Sequence, residues 1–211
     1  MASLAATHDV HAVDLPAFGS SSQRSRFGLE RIPDQLVASM DRRGIERASV
    51  IGHSMGGLIA GRLAAEHPDR VDRLVLVDAA FLSLDPGWWH RGAGPLVVLR
   101  WTQASLVRTL AEDLVRVGPA RLLDASRQLL RADWADLLPR IAAPTLVVWG
   151  DHDTLCPITI GRALAERIPD ATLVTIPRSG HNPMWEQAQE FDRIVSDFLS
   201  AGDLSASELE V

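Results

Sequence analysis

The chain has 211 residues, 46% of them apolar and 23% charged, with a formal net charge of −6, which suits one domain with an insertion and leaves little room for two. Acidic side chains outnumber basic ones by 27 to 21, and this excludes the basic footprint of nucleic-acid or anionic-membrane binding. Every basic residue is Arg, Lys and Tyr are absent, and Cys156 is the single cysteine, so Schiff-base lysines, Tyr/Lys pairs, intrachain disulfides and cysteine-rich metal sites are excluded too.

The first ten residues include His8 and Asp9 and lack the basic start, apolar stretch and cleavage pattern of a signal peptide. No apolar run approaches the roughly 18 residues of a membrane span, and the expectation is a soluble, cytoplasmic protein. Short apolar runs alternate with longer stretches of helical period, the pattern of an α/β protein with a mostly parallel sheet and flanking helices. Residues 10–15 read as a first strand, followed by a loop over 16–22 of small and turn-forming residues. Residues 32–43 read as a helix, with Pro33 near its start and Gly44 at the place of a left-handed C-terminal cap. Residues 48–51 are a short buried strand, 57–66 a helix that stops before Pro68, and 73–80 the next strand.

From 81 to 140 only helical patterns remain, with Leu106, Leu110, Leu114 and Val117 on one face. This segment is expected to be a helical cap inserted into a core of residues 1–80 and 141–199. Strand 144–149, helix 160–167 and strand 171–176 complete the alternation. Residues 184–199 carry Trp185, Ala188, Phe191, Ile194, Val195 and Phe198 on one stripe of a final helix. Residues 200–211, small, polar and acidic, are expected to be a disordered tail.

Gly52-His53-Ser54-Met55-Gly56 lies between a strand and a helix, the setting in which G-x-S-x-G marks a nucleophile elbow. Such a turn strains the serine backbone, and it predicts that a Cβ at either Gly52 or Gly56 would clash. The helix behind it aims its N-terminal N–H groups and dipole at any oxyanion formed there. A serine hydroxyl needs a base, and the base an orienting group. Among seven histidines, His181 has the best setting, in loop 178–183 at the carboxyl edge of the sheet where Ser54 also lies. His8, His11, His67, His90 and His152 read as surface or packing residues, and the His53 side chain as pointing away from that of Ser54. Two carboxylates in loop 149–157 compete to orient His181. Asp153, deeper in the loop, is favoured, and Asp151 is placed to cap backbone N–H groups. Asp78, at the same edge, reads as structural and Cys156 as a small buried loop residue.

Ser54, Asp153 and His181 follow the chain order of the α/β-hydrolase triad, and the chain resembles that superfamily over about residues 8–199. Gly-His-Ser-Met-Gly-Gly at 52–57, His67-Pro68, the Gly150-x-x-Asp153 loop and Gly180-His181 carry the resemblance, as does Asp14-Leu15-Pro16-Ala17-Phe18-Gly19-Ser20-Ser21, with Ala17 where the family has glycine. The resemblance implies an α/β-hydrolase fold in which residues 10–15 are the fourth strand, while the first three strands and the His-Gly loop after the third have no counterpart. That loop supplies one backbone donor of the family's oxyanion hole and the residue after the nucleophile, here Met55, supplies the other. An N-terminally incomplete hydrolase, truncated or with rearranged strands, is therefore expected to turn over weakly or not at all.

The implied activity is hydrolysis of a small, apolar carboxylic ester or related acyl compound through an acyl-enzyme. Ser54 attacks, His181 relays the proton and Asp153 orients His181; no metal or organic cofactor is implied, and the partner is a small-molecule substrate. Serine at the elbow argues against the haloalkane dehalogenase and epoxide hydrolase branches, which place aspartate there. C–C bond hydrolysis, cofactor-free haloperoxidation and a non-catalytic binding module are the alternatives. Trp88, Trp89, Trp101 and Trp134, all within 81–140, are expected to line an apolar substrate pocket.

Overall fold

A computed structural model describes residues 4–16, 18–19, 27–85 and 117–200 of the chain. Helix α1 (Ile32–Arg42) leads into strand β1 (Ala48–His53), helix α2 (Met55–Glu66) and strand β2 (Val71–Val77). A long connection that ends in α3 (Pro119–Arg131) and a 3-10 helix (Ala135–Arg140) reaches β3 (Thr145–Gly150); α4 (Ile158–Arg167), β4 (Ala171–Ile176), α5 (Pro183–Glu186) and α6 (Ala188–Ser200) follow. The strands pair in parallel in the order β1-β2-β3-β4. Parallel neighbours require crossovers, and α2 and α4 provide two of them.

A parallel sheet covered on both faces reads as continuous apolar runs, and β3 is buried along its whole length. Leu74, Leu76, Val147 and Trp149 face one way, into a core with Leu58, Ile59 and Leu63 of α2 and Ile160 and Leu164 of α4. Val75, Val77, Leu146 and Val148 alternate to the other face, against Phe191, Ile194, Val195 and Phe198 of α6. Both ends of the 81–140 segment join the first of these cores: Phe81 and Leu138 are 2% and 1% exposed. Gly44 takes φ +69 after α1, and the Ile45 N–H donates back to the Met40 carbonyl at 3.0 Å, closing the helix as its cap position predicts.

Two expectations are corrected. Residues 10–15 form no strand: Val10 packs on the α6 side of the sheet and Leu15 and Phe18 on the α2 side, so the segment passes from one face to the other instead of running in a ladder. Among the described residues β1 is therefore an edge, with Ile51 41% exposed. The single helix expected over 184–199 is two, α5 and α6, broken at Gln187 with φ −132 and ψ 52. Trp88, Trp89, His90, Trp101, most of the proposed cap and all but the first residue of the tail expected over 200–211 lie outside the described residues, and that first residue, Ser200, ends α6 instead. No described helix is long and apolar enough to cross a membrane.

Candidate active site

Strand β1 ends at His53 and α2 begins at Met55, so Ser54 alone makes the turn, with φ 53 and ψ −120. L-residues avoid that region, and the surroundings must hold one there. The Ser54 N–H donates to the Val77 carbonyl at 3.0 Å, and its own carbonyl accepts from the N–H groups of Gly57, Leu58 and Ala80 at 3.0, 3.2 and 3.0 Å. A Cβ on Gly52 would stand 2.3 Å from the Gly56 carbonyl oxygen, and one on Gly57 2.5 Å from the Ala79 Cβ. At Gly56 it would meet nothing within 4 Å. The expected clash at Gly56 is thus corrected: Gly57 is the glycine that lets α2 approach the end of β2. We expect Gly52→Ala and Gly57→Ala to cost about 1–3 kcal/mol each through overpacking, and Gly56→Ala to be neutral or to stabilise by up to about 1 kcal/mol, as read from urea unfolding. Equal losses at all three positions would contradict the packing.

The ends of β3 and β4 deliver the other two side chains. A Cβ on Gly150 would stand 2.0 Å from the Gly180 carbonyl oxygen, so the two loops meet backbone to backbone. The His152 N–H donates to the Ser179 carbonyl at 2.8 Å, and the Ser179 N–H to Asp151 Oδ1 at 3.1 Å. Glu186 reaches back from α5 to accept from Ser179 Oγ at 3.1 Å and from the Gly180 N–H. Glu186 carries no local sequence signal; it acts through the break before α6.

This frame brings Ser54, His181 and Asp153 into one line. His181 Nε2 lies 3.0 Å from Ser54 Oγ, and Nδ1 lies 2.7 Å from Asp153 Oδ2. The Asp153 side chain is fully buried, and its Oδ1 accepts from the Leu155 and Cys156 N–H groups at 2.8 and 3.0 Å. A carboxylate beside Nδ1 fixes the proton there and leaves the Nε2 lone pair facing the hydroxyl. Asp151, the competing carboxylate, has Ser179 N–H and His152 Nδ1 as partners, the latter at 2.5 Å. A helix's first N–H groups have no intrahelical acceptor, and the Met55 N–H has none among the described residues.

His53 has a partner that the sequence did not disclose. Its Nε2 donates to the His181 carbonyl at 2.7 Å, and the two rings are 4.8 Å apart. Burial first, and the neighbouring His181 second, lower the His53 pKa from 6.5 to about 4, so the ring is neutral and its Nε2–H serves the carbonyl. Between those values the unfolded chain binds the proton and the folded one does not. The contribution of His53 to stability therefore falls as pH drops from 6.5 towards 4, by about 3 kcal/mol in all. The urea midpoint of the parent relative to that of His53→Gln should drop between about pH 7.5 and 4.5, because every other titrating group is common to both proteins; a difference that does not change with pH would refute the assignment.

The other described histidines have partners of their own, His67 on Asp34 at 3.0 Å, His11 on Asp9 at 3.2 Å and His8 on Thr7 at 2.8 Å. Trp134, expected in the substrate pocket, packs against α2 through Arg62. The Arg62 guanidinium covers its ring at 4.4 Å, and Arg62 stands about two turns along α2 from Ser54. Trp134 lines a cleft of about 420 Å³ with Leu29, Arg31 and Gln128 instead. Asp153, Cys156 and His181 offer three ligand atoms within 4.8 Å of one another. Burial, reinforced by the charge of Asp153, pushes the Cys156 thiol up, which disfavours the thiolate a metal would need.

A sequence profile of the alpha/beta hydrolase family matches residues 1–194. The pimeloyl-[acyl-carrier protein] methyl ester esterase of Chromobacterium violaceum is 34% identical over 93% of this chain and 85% of its own length. The 2-hydroxy-6-oxononadienedioate/2-hydroxy-6-oxononatrienedioate hydrolase of a Pseudomonas species is 30% identical over 92% of this chain and 78% of its own. Among solved structures, the enol-lactonase of Burkholderia xenovorans superposes with a TM-score of 0.69 at 29% identity, covering 89% of this chain and 79% of that one.

Proposed function

The chain belongs to the alpha/beta hydrolase family and is a hydrolase, and from that premise we propose that it cleaves a small, apolar carboxylic ester through an acyl-Ser54 intermediate. The observation that carries this reading is the unbroken line from Ser54 Oγ through His181 to Asp153, at 3.0 and 2.7 Å. His181 Nε2 takes the hydroxyl proton as Ser54 Oγ bonds to the acyl carbon, and returns it to the leaving alkoxide. Water then enters by the same route in reverse, and the carboxylic acid leaves. Asp153 holds His181 in the tautomer this needs and stabilises the imidazolium formed midway. The Met55 N–H, at the positive end of α2, is one donor to the oxyanion. Two relatives are named for ester bonds, one a methyl ester and one an enol lactone, which favours the ester over the C–C reading. Residues 81–140 form the cap in this reading, with Trp88, Trp89 and Trp101 as its apolar lining.

A fluorophosphonate probe tests the assignment. It should label Ser54 in the parent and leave Ser54→Ala unlabelled, and p-nitrophenyl esters from acetyl to hexanoyl should turn over with rising efficiency. Labelling that persists in Ser54→Ala would overturn the nucleophile, and a strict preference for charged acyl groups would overturn the apolar pocket.

A further inference from the structure

Asp78 ends β2 in a position that combines three unusual features. Its backbone is left-handed at φ 42, its side chain is wholly buried, and one carboxyl oxygen, Oδ2, has no hydrogen-bond partner among the described residues. The other oxygen, Oδ1, accepts from the Gly150 N–H at 3.0 Å, and the Asp78 N–H donates to the Val148 carbonyl at 3.0 Å, which ties the residue to the end of β3. From there its carboxyl lies beside that of Asp153, with Glu186 and Cys156 as the other titratable neighbours. Two buried carboxylates in contact cannot both be ionised.

The donor inventory decides which one keeps the proton. Asp153 receives three donors, Leu155 N–H, Cys156 N–H and His181 Nδ1–H. Asp78 receives one, Gly150 N–H. Charge settles where donors converge, so Asp153 is the carboxylate and Asp78 the acid. An ionised carboxyl offers about four acceptor sites; three of those on Asp153 are filled, and an O–H on Asp78 Oδ2 fills the last.

We propose that Asp78 is a neutral carboxylic acid whose Oδ2–H donates to the Asp153 carboxylate, making it a positioning residue for the Asp153–His181 pair. The inference rests on the reading of Asp153 as the orienting acid. Burial, and next the charge of Asp153, hold the Asp78 carboxyl well above the usual carboxylate range, in keeping with that role. An amide reproduces a neutral acid here, because its oxygen accepts from Gly150 and its NH₂ donates to Asp153, whereas alanine leaves Asp153 one donor short.

The test is therefore Asp78→Asn against Asp78→Ala. Ester kcat should fall about tenfold in Asp78→Ala, the scale of one lost charge-assisted hydrogen bond, with KM little changed. Asp78→Asn should keep kcat within about threefold and unfold no earlier than the parent at neutral pH, since folding no longer has to hold a buried acid protonated. Loss in Asp78→Asn as deep as in Asp78→Ala would mean that the site needs a charge at 78, and full activity in both would mean that it needs nothing there; each overturns the proposal. An infrared difference spectrum, parent minus Asp78→Asn at about pH 8, gives a reading without turnover. A carboxylic-acid C=O band supports the neutral acid and its absence refutes it, even where Asp78→Ala does not fold or no ester is cleaved. Failure of the hydrolase reading would instead appear as a parent that neither labels nor turns over.

Discussion

Ser54→Ala should lower kcat/KM for a p-nitrophenyl ester by about 10⁶-fold, His181→Ala by about as much, and the double variant no further. The two side chains act as one unit. Without the base the hydroxyl is a poor nucleophile, and without the hydroxyl the base has no proton to take. Ser54→Ala should not disturb the fold, because Ser54 contributes no side-chain cap to α2 and its backbone contacts with Val77, Gly57, Leu58 and Ala80 do not involve Oγ. Ser54→Gly separates the chemistry from the strain. It should be as inactive as Ser54→Ala yet more stable by about 1–3 kcal/mol, the cost of holding an L-residue in this conformation, since glycine adopts φ 53 freely. The readouts are pre-steady-state turnover, with the parent quantified by fluorophosphonate and the variants by absorbance, and urea unfolding of the parent, Ser54→Ala and Ser54→Gly. Ester turnover in Ser54→Ala within tenfold of the parent would remove Ser54 from the mechanism.

What the sequence discloses about this site is what is set locally. The elbow is legible because strand, G-x-S-x-G and helix are contiguous, and the strained Ser54 backbone follows from that contiguity. That β2 and β3 belong to a mostly parallel sheet is legible because strands buried on both faces read as unbroken apolar runs, such as Leu74 to Val77 and Leu146 to Trp149. What stays hidden depends on approach between distant segments. Whether Gly56 or Gly57 is indispensable is decided by Ala79 on the next strand. Residues 10–15 have strand composition, yet a strand exists only through pairing, and this segment crosses between faces instead. His53, Glu186 and Asp78 form their contacts with His181, with Ser179 and Gly180, and with Gly150 and Asp153, all through loops whose relative placement has no period to read. Strand alternation alone turns His53 away from Ser54; only the fold shows that this direction leads to the His181 carbonyl.

Asp153→Asn should cost about 10⁴-fold in kcat while the protein stays folded, and the direction of the two carboxyl oxygens says why. Oδ1 accepts from the Leu155 and Cys156 N–H groups and Oδ2 from His181 Nδ1–H. An asparagine keeps its carbonyl oxygen on the two backbone donors, since turning it over would set its NH₂ against two N–H groups in a buried loop. Its NH₂ is then aimed at His181 Nδ1. That nitrogen must give up its proton to accept, so the proton moves to Nε2, where it points at Ser54 and cannot take the hydroxyl's. The base is present in the wrong tautomer. Asp151→Asn is a different case, because its partners are the Ser179 N–H and the His152 ring; an amide oxygen still accepts from Ser179, and the loss in kcat should stay under about tenfold. Thermal unfolding of both variants checks that the folded population is intact, and ¹⁵N chemical shifts of the His181 ring report the tautomer directly. A large loss in Asp151→Asn beside a mild one in Asp153→Asn would move the orienting role to Asp151, and an Nδ1–H tautomer persisting in Asp153→Asn would break the argument at its central step.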